Sequence, residues 1–454
     1  MKPLTAKQIA EILGTVVAAG NREVVASGGV STDTRKLPQA ALFIALRGEH
    51  YDGDAFAGAA LASGAAVVVV HQWNGESPAN SAVIQVPDTL LALQKLAHWW
   101  RKQLDIPVVG ITGSNGKTST KDFTKAVLSQ RFNVSATRGN LNNHIGVPLS
   151  ILSTTQEHTA AVWEMGMNHS GEIAPLCEIA RPKYGIITNI GSAHLEFLGT
   201  RDAIAEEKGM LARALPSDGT LFLPATCEYH EYFRKRTKAS IVPVGNGRGL
   251  VRAESLRFEA DRTDFSLAIE GLENVDVSLP VPGKHMVTNA LLAAGVGWKL
   301  GVSPSEIAAG LSSAELTGGR LHRYDWQGVT VIDDTYNANP ESIAAAIETL
   351  CDIPVNNGGR RIIVLGRMGE LGSHAPAAHL RVGALAMQRK LMTIAVGEGA
   401  EGIAEGASNA PYFPDLDLAA KWLTGEVKPG DVVLFKGSRT ATVEKVMNRA
   451  FPKN

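Results

Sequence analysis

A regular alternation of apolar runs and helical patterns is the feature of this sequence that most constrains its fold. Each apolar run ends in polar residues and precedes sequence with helical spacing, and the clearest runs occupy residues 108–112, 159–165, 184–190, 328–334, 361–366, 391–397 and 431–437. This order predicts an α/β protein with doubly wound, mostly parallel sheets, because parallel strands need helical crossovers. Ligands of such sheets bind at the carboxyl ends of the strands, so the residues after each run are candidates for function.

The chain divides into three predicted domains, since 454 residues are too many for one ordinary core. We place a small N-terminal α/β domain at 1–104 and a central domain with a P-loop-type doubly wound sheet at 105–314. A C-terminal Rossmann-like α/β domain follows at 315–454. Between 240 and 282 the apolar period changes to two, which predicts a small antiparallel insert.

Composition excludes several classes of partner. The 44 basic and 45 acidic residues nearly cancel, which favours neither nucleic acid nor an anionic membrane as partner. Residues 1–14 lack the apolar core of a signal peptide, and no apolar run is long enough for membrane insertion. The 3 cysteines are scattered without C-x-x-C spacing, which is typical of a reducing compartment and argues against a zinc site. We therefore expect a cytoplasmic protein.

The segment GITGSNGKTST at 110–120 joins the first central strand to a helix. A standard P-loop has a glycine where this chain has Ile111, but the glycine, lysine and threonine that contact phosphate are present. Backbone N–H groups of such a loop face phosphate, Lys117 adds charge, and Thr118 can bind Mg²⁺. The predicted nucleotide-binding residues are Gly113, Ser114, Asn115, Gly116, Lys117, Thr118 and Ser119. The alternative is an ordinary strand-to-helix turn.

Two polar residues stand at the ends of apolar runs that are consecutive in the central part of the chain. Glu164 ends an apolar run, where it is either paired with a basic neighbour or a ligand of Mg²⁺ near the phosphates. His194 follows the next run and should open onto the same edge, although a lone histidine is more often structural.

Lys208 lies on the apolar stripe of a predicted helix, with Ile204, Leu211 and Leu215 at helical spacing. Either its ammonium reaches water at the helix edge, or the lysine is buried and then neutralised or chemically modified. The sequence alone does not decide between a solvated ammonium and a buried lysine that is neutralised or modified.

The third block carries two polar segments at strand ends. In 332–347, Asn339 and Pro340 are suited to the start of a helix, which leaves Asp333 and Asp334 unexplained. Residues 435–440 are either an anion clamp or a solvated helix start.

Together these segments resemble the Mur ligases of peptidoglycan synthesis over nearly the whole chain. That family's loop is G-x-x-G-K-[TS], without the distant first glycine, and the segment TGSNGKTS matches it. The segments DDTYNANPES, GRMGELG and KGSR are similar to those of the family member that adds a dipeptide.

The resemblance implies roles for individual residues. The implied catalytic residues are Lys117, Glu164, His194 and Lys208, the lysine as a carbamate, and the implied Mg²⁺ ligands are Thr118, Glu164, His194 and Lys208. Further ATP contacts are implied for Asn289, Arg320 and Asp334. Implied substrate contacts are Ser31, Thr32 and Arg47 for the uridine nucleotide, Asn140, Asn142 and Asn143 for the muramoyl group, and Tyr336, Asn337, Asn339, Lys436, Ser438 and Arg439 in the C-terminal domain.

The implied activity is ATP-dependent ligation of D-alanyl-D-alanine to UDP-N-acetylmuramoyl-tripeptide through an acyl phosphate, by a monomer that uses ATP and Mg²⁺. One alternative is another Mur-type or folylpolyglutamate ligase, which would share ATP, Mg²⁺ and the loop. The other is a P-loop NTPase switch, which the missing first glycine and the lack of an obvious apolar run followed by D-x-x-G disfavour.

Overall fold

The computed structural model describes residues 1–48, 51–76, 79–259, 261–355 and 358–453. Its strands form a five-stranded, a nine-stranded and a six-stranded sheet, with two short two-stranded ladders. The predicted α/β class with mostly parallel sheets is confirmed.

The five-stranded sheet belongs to the N-terminal region and has the order β2-β9-β8-β5-β4. The strands of this region are β1 (Leu4–Thr5), β2 (Val17–Gly20), β3 (Val25–Ala26), β4 (Val30–Ser31), β5 (Leu42–Ile44), β6 (Arg47–Gly48), β7 (Tyr51–Asp52), β8 (Val67–Val70) and β9 (Ala82–Gln85). Its helices are α1 (Ala6–Leu13), α2 (Ala57–Ala62) and α3 (Thr89–Gln103). The β8 strand consists of four buried valines, and β-branched residues favour such a central, fully covered position.

Helix α3 connects this sheet to the rest of the molecule. Its Trp100 is fully buried and donates a hydrogen bond of 2.8 Å from Nε1 to the carbonyl oxygen of Thr154. Nε of Arg101 donates to the carbonyl oxygen of Ala180 at 2.8 Å. The apolar side chains of α3 share one core with the central region.

The nine-stranded sheet has the order β11-β12-β10-β13-β14-β15-β16-β17-β18. Its strands are β10 (Val108–Thr112), β11 (Val134–Ala136), β12 (Ala160–Glu164), β13 (Tyr184–Ile187), β14 (Thr220–Pro224), β15 (Ser240–Asn246), β16 (Val251–Phe258), β17 (Thr263–Ile269) and β18 (Val275–Leu279). The helices of this region are α4 (Lys117–Leu128), α5 (Gly146–Ser153), α6 (Ile173–Ala180), α7 (Leu195–Leu198), α8 (Arg201–Ala214), α9 (His230–Arg234), α10 (Lys284–Lys299) and α11 (Pro304–Ser312).

Strand β10 marks the point where the chain changes direction across this sheet. It pairs in parallel with β12 on one side and β13 on the other. Such a switch point opens a crevice at the carboxyl ends of the strands, where ligands bind in this class of fold. The loop predicted to hold phosphate follows β10 and therefore lies at that crevice.

The predicted antiparallel insert is part of this sheet. β16, β17 and β18 pair in antiparallel fashion as predicted, but β16 also pairs with β15, so the segment extends the central sheet instead of forming a separate unit. The two-residue period reports a strand with one covered face; it carries no information on which sheet the strand joins.

The six-stranded sheet has the order β19-β20-β24-β21-β22-β23 and is parallel except for the β19–β20 pair. Its strands are β19 (His322–Trp326), β20 (Val329–Asp333), β21 (Arg361–Gly366), β22 (Met392–Val396), β23 (Tyr412–Phe413) and β24 (Val432–Lys436). Its helices are α12 (Pro340–Asp352), α13 (Ala375–Gln388), α14 (Glu401–Gly406), α15 (Leu416–Glu426) and α16 (Glu444–Ala450).

The domain boundaries predicted at 104/105 and 314/315 fall between these sheets and stay a prediction.

Within the described ranges, no helix has the length and apolar character needed to cross a membrane.

Candidate active site

A cleft of about 700 Å³ lies where the carboxyl ends of β10, β12 and β13 face the residues that follow β20. Most of the predicted site residues line it, namely Ser114, Asn115, Gly116, Lys117, Thr118, Ser119, Asn140, Asn142, Asn143, Glu164, His194, Asn289, Arg320, Asp334, Tyr336, Asn337 and Lys436. The cleft thus joins residues that are widely separated in the sequence.

The loop after β10 needs two of its glycines. Gly113 has a φ of 148° and Gly116 a φ of 78°, values that L-amino acids rarely adopt. A Cβ on Gly113 would lie 1.8 Å from Oγ1 of Thr188, and one on Gly116 would lie 2.7 Å from Oδ1 of Asn289. The loop therefore packs closely on its neighbours, as a loop must when backbone N–H groups are to face a ligand.

Lys117 begins α4 and folds back over the loop. Its Nζ donates to the carbonyl oxygen of Gly113 at 2.7 Å. Burial lowers the pKa of the Lys117 ammonium, and the neighbouring Glu164 carboxylate opposes this shift. The arrangement places a positive charge at the N-terminus of a helix, the usual setting for bound phosphate.

Asn189, which the sequence analysis did not select, fixes the start of the loop. Its carbonyl oxygen accepts from the N–H of Ser114 at 3.1 Å, and its Oδ1 accepts from the N–H of Asn115 at 2.9 Å. The N–H groups of Ser114 and Asn115 are therefore occupied by hydrogen bonds within the protein.

Thr118, Glu164 and Arg320 form a chain of hydrogen bonds across the cleft. Oγ1 of Thr118 donates to Oε2 of Glu164 at 3.2 Å and accepts from Nη2 of Arg320 at 2.9 Å. Arg320 also lies with Cζ 4.2 Å from the centroid of the Tyr336 ring.

Glu164 is almost fully buried, with 1% of its surface exposed. Among the described residues, no basic nitrogen lies within ion-pair distance of its carboxylate, so the pairing with a basic neighbour considered above is wrong. Its Oε1 atom is buried and has no hydrogen-bond partner in the described structure. An unpartnered carboxylate oxygen beside a hydroxyl is a suitable ligand for a hard cation such as Mg²⁺.

His194 lies in the same cleft, as predicted, and adopts a φ of 65°. Its Nδ1 is 2.7 Å from Oε2 of Glu370, within ion-pair range, although the contact lacks the angles of a hydrogen bond. Interaction with His194 lowers the pKa of Glu370. Glu370 lies within GRMGELG, a segment whose similarity was noted without this residue being selected, and it too has a positive φ, of 59°.

Lys208 is buried on α8, with 1% of its surface exposed, so the interpretation that its ammonium reaches water is wrong. Burial lowers the pKa of Lys208 well below its ordinary value, and the positive charge of Lys117 adds to the effect. The adjacent Glu207 binds the N–H groups of Gly171 and Ile173 at 2.8 and 2.7 Å. Lys208 is outside the residues that line the cleft.

The residues after β20 and β24 meet each other. Nζ of Lys436 is 2.7 Å from Oδ2 of Asp334 and donates to the carbonyl oxygen of Asn337 at 2.9 Å. Lys436 is buried, whereas Arg439 is exposed and pairs with Glu444, so the suggested anion clamp has one internally paired lysine and one solvated arginine. Ser438 is buried and lies outside the cleft lining.

Asn339 caps α12, as predicted. Its Oδ1 accepts from the N–H of Ser342 at 2.9 Å, and Pro340 occupies the first turn. Its Nδ2 donates to Oδ1 of Asn115 at 2.8 Å, a contact with the loop after β10 that the sequence analysis did not anticipate.

Among the three asparagines after β11, Asn143 uses its Oδ1 to accept from the N–H groups of Ile145 and Gly146 at the start of α5. Asn142 is in close contact with Gly166, because a Cβ on that glycine would lie 2.9 Å from the Asn142 amide. Asn140 lines the cleft with them.

Ser31, Thr32 and Arg47 lie in the N-terminal region, away from the cleft lining. Arg47 is partly exposed and pairs with Asp52 at 3.1 Å and with Asp54 at 3.2 Å. Oγ of Ser31 accepts from the N–H of Asp33 at 3.1 Å.

Two more residues of the cleft were not selected from sequence. Glu341 follows Pro340, and its position in the first helical turn gave no signal beyond a favourable helix dipole. His285 lies in the first turn of α10 and was not considered in the sequence analysis; burial lowers its pKa to about 4, so it is neutral at physiological pH.

A pre-formed metal cage is not part of this site. In the ranges given above, no group of three or more His, Cys, Asp or Glu side chains is arranged to hold a metal ion. Mg²⁺ bound with a nucleotide takes one or two protein carboxylates and completes its shell with phosphate and water, so the Thr118–Glu164 pair fits that mode of binding.

Comparisons with known proteins agree along the whole chain. Residues 27–101 match the Mur ligase family catalytic domain, residues 111–297 the Mur ligase middle domain, and residues 319–439 the Mur ligase glutamate ligase domain. The UDP-N-acetylmuramoyl-tripeptide–D-alanyl-D-alanine ligase of Bacillus subtilis is 37% identical over 98% of this chain and 97% of its own length. The ligase of the same name from Escherichia coli is 35% identical over 100% of this chain and 99% of its own.

Solved structures of MurF ligases are also similar to this chain over nearly its whole length. The structure of MurF from Acinetobacter baumannii has a TM-score of 0.91 and 32% identity, with 100% of both chains covered. MurF ligase from Thermotoga maritima in complex with ADP has a TM-score of 0.82 and 29% identity, covering 93% of this chain and 96% of that one.

Proposed function

Because the chain belongs to the Mur ligase family, we propose that it joins D-alanyl-D-alanine to UDP-N-acetylmuramoyl-tripeptide with hydrolysis of ATP to ADP and phosphate. The observation that carries the proposal is the single cleft in which the phosphate loop faces residues 334–345 of the third sheet region. A phosphoryl donor and an amine can be held on opposite walls of such a cleft. Full-length similarity to ligases of this activity supports the choice of substrates.

Amide formation from a carboxylate requires activation of the acid. In the proposed reaction a carboxylate oxygen of the tripeptide attacks the γ-phosphorus of ATP, and ADP leaves. The amine of the dipeptide then attacks the acyl carbon, phosphate leaves, and the nitrogen loses its extra proton. Positioning and charge stabilisation supply most of the catalysis in such reactions.

Lys117 and the loop residues 113–119 are proposed to hold the β- and γ-phosphates of ATP. The support is the Lys117 ammonium at the start of α4 and the close packing of Gly113 and Gly116. Asn289, Arg320 and Asp334 are proposed as further nucleotide contacts, and Arg320 already bonds Thr118 from across the cleft.

Thr118 and Glu164 are proposed to hold Mg²⁺, supported by the unpartnered Oε1 atom of Glu164. When bound, Mg²⁺ neutralises phosphate charge and orients the transferred group. His194 and a carbamate on Lys208 are proposed to serve a second ion.

The carbamate on Lys208 has a physical rationale. Burial and the nearby Lys117 lower the pKa of Lys208, and only a neutral amine adds to carbon dioxide. Carbamate formation replaces this neutral amine with a negative charge near Lys117. The modification would also extend the side chain from the apolar stripe of α8.

The remaining contacts are proposals of the same kind. Ser31, Thr32 and Arg47 would bind the uridine nucleotide, with phosphate competing with Asp52 and Asp54 for Arg47. Asn140, Asn142 and Asn143 would face the muramoyl group; the Asn143 side chain has only its amide nitrogen left for this. The dipeptide would lie near Tyr336, Asn337, Asn339, Lys436, Ser438 and Arg439. We further propose that the protein acts as a cytoplasmic monomer with domains at 1–104, 105–314 and 315–454.

Phosphate release from ATP by the purified protein with Mg²⁺ tests the function. Reactions would contain the uridine-linked tripeptide, D-alanyl-D-alanine, both, or the tripeptide with single amino acids. Release with a heavier uridine product only when both partners are present is expected. Release with a single amino acid would indicate another ligase of this family, and release indifferent to all additions would indicate an NTPase.

A pair of lysine variants on α4 controls this assay. Lys117→Ala should abolish ligation, because it removes the charge from the phosphate loop. Lys125→Ala removes an exposed lysine from the same helix and should retain activity. Full activity of Lys117→Ala would contradict the assignment.

A further inference from the structure

We propose that Glu341 is a positioning residue that docks the first turn of α12 onto the residues following β13, and so sets the spacing between the two walls of the cleft. The inference rests on the proposed function, since it concerns the distance between the phosphate loop and the amine side. None of the roles assigned above uses Glu341.

Glu341 makes a two-point contact across the cleft. Its Oε1 accepts from the backbone N–H of Ser192 at 3.0 Å, and its Oε2 accepts from Oγ of the same residue at 2.8 Å. Both oxygens of one carboxylate thus bind one residue, which fixes the direction of approach as well as the distance.

Ser192 connects this contact to the phosphate loop. The N–H of the preceding Gly191 donates to Oγ of Ser114, a loop residue, at 2.9 Å. A Cβ on Gly191 would lie 3.2 Å from Cδ of Glu341 and 3.3 Å from Cβ of Ser114. The glycine therefore lies between the two elements, where an added Cβ would be in tight contact with both.

Asn339 provides a second contact from the same helical turn. Its Nδ2 bonds Oδ1 of Asn115 at 2.8 Å while its Oδ1 caps α12. Pro340 stands between Asn339 and Glu341, and its fixed φ stiffens the turn. Two contacts from one stiff turn define an orientation, whereas one contact alone would allow rotation.

The consequence is that residues 334–339, which precede α12, are held at a fixed distance from the loop. Removing the Glu341 carboxylate should loosen this spacing without removing any group proposed to touch substrate. Glu341 is exposed, so solvent weakens its hydrogen bonds to Ser192. We therefore expect kcat to fall about tenfold in the absence of the carboxylate, which corresponds to the lower end of the range for hydrogen bonds to a charged group.

The test compares four variants in the ligation assay. Glu341→Ala should lower kcat about tenfold with an unchanged KM for the uridine-linked substrate, whose proposed contacts include neither Glu341 nor Ser192. Glu341→Gln should restore most of kcat, since its amide can bond both groups of Ser192. Ser192→Ala should lower kcat about threefold, because it removes one of two bonds. The double variant of Glu341→Ala and Ser192→Ala should be no worse than Glu341→Ala alone.

Asp417→Ala is the matched control. Asp417 occupies the same second position of its helix, α15, is also exposed, and pairs with Arg449 in its own sheet region. The Asp417→Ala variant loses the favourable interaction of a carboxylate with the helix dipole, as Glu341→Ala does, and it should retain the kcat of the wild type.

Small-angle scattering of the full chain gives a readout independent of catalysis. Glu341→Ala should increase the radius of gyration relative to wild type and Asp417→Ala. Equal behaviour of Glu341→Ala and Asp417→Ala in both measurements would overturn the proposal. Loss of activity in Glu341→Gln as large as in Glu341→Ala would also overturn it, because a charge requirement points to substrate contact. If wild type ligates another amine, the proposed function fails, and the same variants tested with that amine still decide the role of Glu341.

Discussion

Replacing Arg320 by lysine should separate the geometry of this residue from its charge. Arg320 reaches Thr118 with one guanidinium nitrogen at 2.9 Å and stacks on Tyr336 with Cζ 4.2 Å from the ring centroid. Lysine keeps the positive charge but has no planar fork, so it cannot make both contacts at once.

The size of the effect follows from these two contacts. A hydrogen bond from a charged donor contributes about 1.5–3 kcal/mol, and a cation–π contact about 0.5–2 kcal/mol. Since lysine can keep one of the two contacts but not both, we expect a loss of about 2 kcal/mol in transition-state stabilisation. That corresponds to about a 30-fold lower kcat/KM for ATP.

The assay is steady-state ligation at varied ATP, with Tyr336→Leu alone and combined with Arg320→Lys. Their effects should not add, because the stack couples the two residues. Arg236→Lys is the control, since Arg236 stacks on Tyr232 with Cζ 3.7 Å from the ring centroid, and neither residue lines the cleft. A kcat/KM for Arg320→Lys within twofold of wild type would refute the reasoning.

Three further predictions concern single positions. Glu164→Gln should weaken Mn²⁺ binding to the ATP complex, measured by electron paramagnetic resonance, and unchanged Mn²⁺ affinity would contradict the proposed metal site. Gly116→Ala should lower ATP affinity at least tenfold, because φ is 78° and the new Cβ would lie 2.7 Å from Asn289; calorimetry with unaltered affinity would contradict this. Burial lowers the pKa of His285 from 6.5 to about 4, so the unfolded chain binds the additional proton between these pH values, and the stability present above pH 6.5 is lost as pH falls. Between pH 6.5 and 4.5 the loss is about 2 kcal/mol, so the melting temperature should fall less steeply over this range in His285→Gln than in wild type, and parallel curves would contradict it.

Local sequence rules located much of the site. The loop at 113–119 follows from a strand, two glycines with positive φ and the start of a helix, all within a few residues. Asn339 was correctly predicted as a helix cap for the same reason, since capping involves residues three positions apart.

Contacts between distant residues explain what was missed. Asn189 bonds the loop across 74 residues, and Glu341 reaches Ser192 across 149, so no local pattern marks either. Glu370 likewise gains its position only when the third sheet region lies against His194. The segment 240–282 shows the same limit, because its period predicted antiparallel strands but not the sheet they would join.

The sequence by itself determined the α/β class, the glycine loop at 113–119 and the strand ends that carry polar residues, because hydrophobic period, glycine conformation and helix capping act over short stretches of chain. Tertiary structure decided which strand ends meet, that the Lys208 side chain is buried instead of solvated, and that Glu164 keeps an unpartnered oxygen. These properties depend on what packs around a side chain, and it is burial that lowers the pKa of Lys208 and of His285 below the ordinary values for their residue types.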